Sequence, residues 1–184
     1  MDFSLGAGEV LVVTGDNGSG KTTLIRLLAG IITPSSGEIR LQAGSTAYLG
    51  HALAIKDDLS ALENLRFAWQ FNRPEKMPTA ALLQQLKAAL NSAGLSRVAH
   101  QPARTLSAGQ RKRCALARLL VADAPLWLLD EPYSNLDGGG IALVDGLLQR
   151  HLEKGGAAVV ATHGEHRPGA AQLRELHLAP GYEL

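Results

Sequence analysis

The sequence predicts an α/β fold: a parallel sheet flanked by helices, with a helical block inserted into it. Three observations carry this. Short apolar runs stand at Val10 to Val13, Leu126 to Leu129 and Ala157 to Ala161, each bounded by Gly, Pro or polar turns; helical periodicity follows the first and separates the other two; and a longer helical stretch runs from about Leu59 to Leu120. Only strands covered on both faces read as unbroken apolar runs, and such strands alternating with helices favour a parallel sheet.

Val10 to Val13 reads as a strand ending in a Gly-rich turn. Leu24, Leu27 and Leu28 then fall at helical spacing within Lys21 to Gly30. Pro34 to Gly37 is a turn, and Glu38 to Gln42 and Thr46 to Leu49 are predicted as short strands around Gly44. In the middle block Leu62, Leu65 and Trp69, then Leu82, Leu83, Leu86 and Leu90, then Leu116, Leu119 and Leu120 recur at helical spacing, with breaks at Arg73 to Pro78 and Gly94 to Thr105. A further helix is expected near Ile141 to Leu152, between the last two strands. The expected division is a core of residues 1–52 and 119–184 and a helical subdomain of residues 53–118.

The chain has 184 residues, 18 basic and 17 acidic side chains, 46% hydrophobic residues and a net charge of +1. It is one domain's worth of sequence, too apolar to be disordered. The balanced charge gives no reason to expect nucleic acid or an anionic membrane as the principal ligand. The single cysteine, Cys114, lies in a helical pattern and reads as a small buried hydrophobe. The apolar runs are far shorter than the roughly 18 residues needed to span a bilayer, and no basic start followed by an apolar stretch marks an export signal.

Gly15-Asp16-Asn17-Gly18-Ser19-Gly20-Lys21-Thr22 fits G-x-x-x-x-G-K-[ST] with a strand before it and a helix after it, and Thr23 follows. The glycines let backbone N–H groups converge on phosphate oxygens, the helix N-terminus adds positive partial charge, and Lys21 neutralises the terminal phosphates. Thr22 offers a hydroxyl to Mg²⁺. A bare Gly-rich turn would not need that strand and helix, so a P-loop NTPase core that binds a nucleoside triphosphate is expected.

The run Leu126 to Leu129 delivers Asp130-Glu131 at the carboxyl end of a strand, where ligands sit in open α/β sheets. Asp130 is placed to hold Mg²⁺ and Glu131 to polarise the water that attacks the γ-phosphate. Alone, Asp130 could merely cap the loop before Pro132.

Leu106-Ser107-Ala108-Gly109-Gln110 opens a helix rich in Arg and Ala. By itself it would be an ordinary Ser N-cap. With the phosphate loop before it, Asp130-Glu131 after it, a Ser134-Asn135-Leu136-Asp137 stretch and His163 beyond an apolar strand, the chain resembles the ATP-binding cassette (ABC) ATPases along essentially its whole length. That resemblance implies ATP and Mg²⁺ as ligands and a second copy of the chain as partner. Ser107 and Gly109 of one copy would close on ATP held by the other, with Asp137 in the D-loop and His163 as the switch histidine that holds Glu131 and the attacking water in register. His166 completes an H-x-x-H with His163, but no third ligand is recognisable, so zinc is not expected.

Tyr48 to His51, Ile55-Lys56, Leu62 to Leu65, Phe67 and Ala161-Thr162-His163 look like the haem-exporter ATP-binding subunits of bacterial cytochrome c maturation. That likeness implies a peripheral subunit on the cytoplasmic face of the inner membrane, paired with integral membrane transporter subunits and powering haem delivery. No haem site is evident in this sequence. The groove for the transporter's coupling helix is expected around His51 to Leu65.

Two departures from the family pattern bear on function. His51 occupies the Q-loop position usually held by glutamine, and an imidazole is a poor Mg²⁺ ligand. The phosphate loop begins at residue 15, whereas the family usually carries further strands ahead of it, so by that resemblance the chain is expected to be N-terminally short, with a start upstream or as a fragment. Phe3 stands too close to the loop to serve as the adenine-stacking aromatic, so weak base selectivity is expected. The alternatives are, from a different class, a nucleotide-binding but catalytically impaired subunit or truncated fragment and, third, a soluble ABC ATPase.

Overall fold

Strands β1 (Val10–Gly15), β3 (Leu126–Asp130) and β4 (Ala157–Ala161) are buried along nearly their whole lengths, as unbroken apolar runs require. The computed structural model describes residues 2–72, 78–163, 166–169 and 172–179. Between the strands lie α1 (Lys21–Leu28), β2 (Thr46–Leu49), α2 (Ala61–Asn72), α3 (Thr79–Ser92), α4 (Ala108–Ala122) and α5 (Gly138–Glu153), and β5 (Leu173–Leu178) closes the order. The sheet runs β2-β3-β4-β1-β5, and every pairing in it is parallel.

The chain divides into two compact units. One comprises Met1–His51, Ala124–Ser134 and Ile141–Leu184 and holds the sheet; the other comprises Ala52–Asp123 and Asn135–Gly140 and holds α2, α3 and α4. In the sheet unit Leu11, Val13, Ile25, Leu128, Val159 and Leu178 form one buried cluster, so α1 is pinned to the strands by its own apolar stripe. In the helical unit Leu65 and Trp69 of α2, Leu86 and Leu90 of α3 and Leu116 of α4 are buried. Two short 3₁₀ turns, Ser96–Val98 and Ala103–Thr105, occupy the break expected after α3. The break at Arg73 to Pro78 lies, apart from Pro78, outside the described residues. Cys114 is fully buried, and burial pushes its thiol up to about 11, as befits a core residue.

Two expectations need correction. Glu38 to Gln42 is not a strand: Ile39 and Leu41 are exposed and Arg40 pairs with its own neighbour Glu38, so the alternation there serves no sheet face. β5 was not foreseen, because its alternating Leu-Arg-Glu-Leu-His-Leu carries no apolar run, yet it pairs along β1 from Val10 opposite Leu173 to Gly15 opposite Leu178. No helix among the described residues is long and apolar enough to cross a membrane.

Candidate functional site

The register of the sheet assembles the site. Val13 of β1 and Asp130 of β3 both pair with Ala161 of β4, so the carboxyl ends of three strands release their loops on one edge. Gly15 ends β1 at φ 145°, and a side-chain carbon there would run into the Leu178 carbonyl and stand 2.6 Å from Ser19 Oγ. Gly18 and Gly20 take φ of 82° and 100°. Gly20 is the N-cap of α1 and supplies no side-chain cap, so the first-turn N–H groups are presented to a ligand.

Lys21 is buried, and its Nζ donates to the carbonyls of Gly15 at 2.7 Å and Asp16 at 3.0 Å. These bonds close the loop on itself and use two of the ammonium's three protons. Thr22 Oγ1 donates to Asp130 Oδ1 at 3.2 Å, and Asp130 is buried. A hydroxyl and a carboxylate side by side are hard oxygen donors of the kind Mg²⁺ takes when phosphates and water supply the rest of its shell. The site residues therefore fit a magnesium nucleotide. Among the described residues no group of three or more His, Cys, Asp or Glu could hold a metal alone.

Glu131 adopts φ 50°, rare for a residue with a β-carbon, with its N–H donating to the Ala161 carbonyl at 3.0 Å and its own carbonyl accepting from Ser134 Oγ at 2.9 Å. Its carboxylate lies 3.2 Å from His163 Nε2, in the loop that Thr162 N–H ties to the Val13 carbonyl. Burial holds the Glu131 carboxyl above the ordinary carboxylate range, with Asp130 adding to the rise, while His163 and Lys21 pull the other way.

A cavity of about 320 Å³ is lined by Asn17, Gly18, Gly20, Lys21, Thr22, Thr23, His51, Asp130, Glu131 and His163, all of them residues singled out from the sequence. Gly15 and Asp16 lie behind it as the carbonyls that hold Lys21, and Ser19 is turned inward and buried. Phe3 packs against the core of the sheet.

The remaining motif residues belong to the helical unit. Ser107 caps α4 in a reciprocal box, its Oγ accepting from Gln110 N–H at 3.2 Å while Gln110 Oε1 accepts from Ser107 N–H at 2.9 Å. Leu106 is buried, and Ala108 and Gly109 form the first turn. Asp137 Oδ1 accepts from Gly140 N–H at 2.7 Å and from Arg113 Nη2 at 3.3 Å, and the Gly140 bond above all holds its carboxyl low.

Two positioning groups escaped the sequence reading. Asn64 stitches the segment after His51, accepting from Lys56 N–H at 2.8 Å and donating to the carbonyls of Lys56, Leu59 and Ser60. Arg118 donates to the carbonyls of Leu53 and Ala54, at 2.8 Å each. An Asn at the start of a helix was the available signal for the first; nothing in the spacing announces the second.

A protein-family model described as ABC transporter matches residues 1–134. The cytochrome c biogenesis ATP-binding export protein CcmA of Xanthomonas axonopodis pv. citri is 47% identical over 189 residues, covering 97% of this chain and 85% of that protein. Its namesake in Cupriavidus necator is 46% identical over 185 residues, covering 95% and 79%. Among solved structures, a dimeric ATP-binding cassette in a post-hydrolysis state with ADP and Pi matches with a TM-score of 0.87 and 24% identity, over 99% of this chain and 87% of that one. A dimeric bacterial ABC transporter cassette matches with a TM-score of 0.85 at 23% identity, over 98% and 86%, which speaks for the fold. The chain belongs to the ABC transporter family, as an ATP-binding cassette homologous to the CcmA export proteins.

Proposed function

We propose that this chain is the ATP-hydrolysing subunit of an exporter serving c-type cytochrome biogenesis, delivering haem or its complex. The observation that carries ATP hydrolysis is that Lys21, Thr22 and Asp130 line one cavity together with Glu131 and His163. The likeness to CcmA proteins over 97% of the chain carries the cytochrome c assignment.

The α1 N-terminus and the loop amides bind the β- and γ-phosphates, and Lys21 turns from the loop carbonyls toward them. Thr22 and Asp130 would hold a magnesium ion, which would supply neutralisation of the phosphate charge. Glu131 takes a proton from the attacking water, and its raised proton affinity makes it a better base than an exposed glutamate. His163 holds that carboxylate and the γ-phosphate in register. The capped N-terminus of α4 is a second anion site, redundant within one chain, so Ser107 and Gly109 receive the phosphate of ATP held by a second copy. ATP then joins two copies, and hydrolysis parts them.

The absence of a spanning helix among the described residues fits a peripheral subunit that works on integral membrane partners at the cytoplasmic face of the inner membrane. The direct test is affinity purification from detergent-solubilised bacterial membranes, together with c-type cytochrome content in cells carrying Glu131→Gln. Recovery of integral membrane subunits and loss of holocytochrome c are expected. Recovery of the chain alone, with normal holocytochrome, would overturn the reading in favour of a soluble ATPase.

A further inference from the structure

Tyr133, Asp145 and His166 form a side-chain cluster in the sheet unit that none of the roles above uses. Asp145, on α5, accepts from the Tyr133 hydroxyl at 2.8 Å through Oδ1, and its Oδ2 lies 3.0 Å from His166 Nε2. Facing an ionised carboxylate, Nε2 is the nitrogen that carries the proton and donates. The Tyr133 and His166 rings meet at 4.4 Å with a tilt of 57°, so the two partners of Asp145 also pack on each other. Tyr133 is buried, and burial together with the Asp145 carboxylate holds its phenol far above its ordinary value, so it remains an O–H donor at any working pH.

The position of the cluster gives it meaning. Tyr133 stands two residues beyond Glu131, and His166 three beyond His163. The loops after β3 and β4 are therefore joined twice, once by the 3.2 Å approach of His163 to Glu131 and once through a carboxylate contributed by a third element. Glu131 sits in a left-handed conformation that only surrounding bonds can enforce, so a group that fixes the chain just beyond it bears directly on where its carboxylate points.

We propose that Asp145 is a positioning residue for hydrolysis: by holding Tyr133 and His166 together it sets the register in which Glu131 and His163 meet. This rests on reading Glu131 and His163 as the groups that act on the attacking water. The side-chain hydrogen bonds of the phosphate loop run from Lys21 to the Gly15 and Asp16 carbonyls and from Thr22 to Asp130 and do not involve Asp145, so its loss is expected to reach turnover through the geometry of Glu131 and His163 and leave nucleotide binding in place. A misplacement of about 1 Å can cost on the order of 100-fold in rate.

The test measures kcat and KM for magnesium ATP, ATP affinity and thermal melting of the full chain carrying Asp145→Ala, Asp145→Asn, His166→Ala or His166→Gln. Asp145→Ala and His166→Ala are expected to lower kcat by about tenfold or more with KM and ATP affinity within about twofold of the parent. His166→Gln, whose amide N–H can replace Nε2–H, should recover most of the turnover lost in His166→Ala. Unchanged kcat, a parallel loss of kcat, ATP affinity and melting temperature, or equal impairment by His166→Gln and His166→Ala would each overturn the proposal. Should Asp145→Ala fail to fold, Asp145→Asn keeps an acceptor for Tyr133 and must show the same split of kcat from KM. Glu131→Gln is measured alongside: full turnover in that variant overturns the reading of Glu131 itself, whatever the Asp145 variants show.

Discussion

His163 Nε2 lies 3.2 Å from Glu131 Oε1, although the two residues leave different strands of the sheet, and the contact exists because Asp130 and Ala161 are paired neighbours across β3 and β4. One ladder register thus brings Glu131, the proposed base, and His163, proposed to steady it, to the rim of the same cavity. Everything the cavity can do depends on which of these groups carries a proton.

That dependence can be read from stability. The Glu131 carboxyl is raised above its ordinary value of 4.5, chiefly by burial. A group whose folded-state value exceeds its unfolded one favours the fold most at low pH and loses that contribution as pH rises through the folded value. Without nucleotide, Glu131→Gln should therefore melt higher than the parent at neutral pH. The gap should close as pH falls through 4.5 and below, where the glutamate too becomes neutral in both folded and unfolded chain. Thermal melts across pH check this, and a gap that widened on acidification would speak against it.

Gly15→Ala should abolish ATP binding and destabilise the chain. A β-carbon at φ 145° is strained and meets the Leu178 carbonyl and Ser19 Oγ, and such backbone strain costs about 1–3 kcal/mol. Calorimetric titration with ATP and denaturant unfolding provide the check; parental ATP affinity would contradict the assigned role of the loop.

Ser107 has one duty in the fold and a separable one that is proposed. As the N-cap of α4 its loss in Ser107→Ala should cost about 1 kcal/mol of stability, measured by denaturant unfolding, whereas Ser107→Thr should keep the cap.

The second duty, which is proposed, lies in trans. Ser107→Ala and Lys21→Ala should each be inactive alone, yet a mixture of the two should regain part of the ATPase rate. A mixed dimer contains one site with both defects and one with intact Lys21 and Ser107. A mixture as inactive as its components would place the signature in cis.

The sheet core was legible because β1, β3 and β4 are apolar on both faces and announce themselves as continuous runs. β5 was not, since an edge strand with alternating Arg, Glu and His looks like solvated chain until its partner β1 is known. Glu38 to Gln42 failed the other way: Ile39 and Leu41 alternate like a strand, and pairing cannot be seen in one segment. The cavity was legible because its residues sit in short contiguous motifs whose chemistry demands that spacing. The Tyr133, Asp145 and His166 cluster joins positions 12 and 21 residues apart, at no spacing that a rule for helices or strands would mark.

The most direct measurement is phosphate release by the parent chain and by Glu131→Gln in the presence of Mg²⁺, with ATP binding followed on the same samples. Turnover by the parent, and a loss of about 100-fold or more in Glu131→Gln with ATP binding retained, is the expected result. Equal rates in the two proteins would contradict Glu131 as the base: both high would leave hydrolysis to another group, and both negligible would leave a nucleotide-binding subunit without turnover.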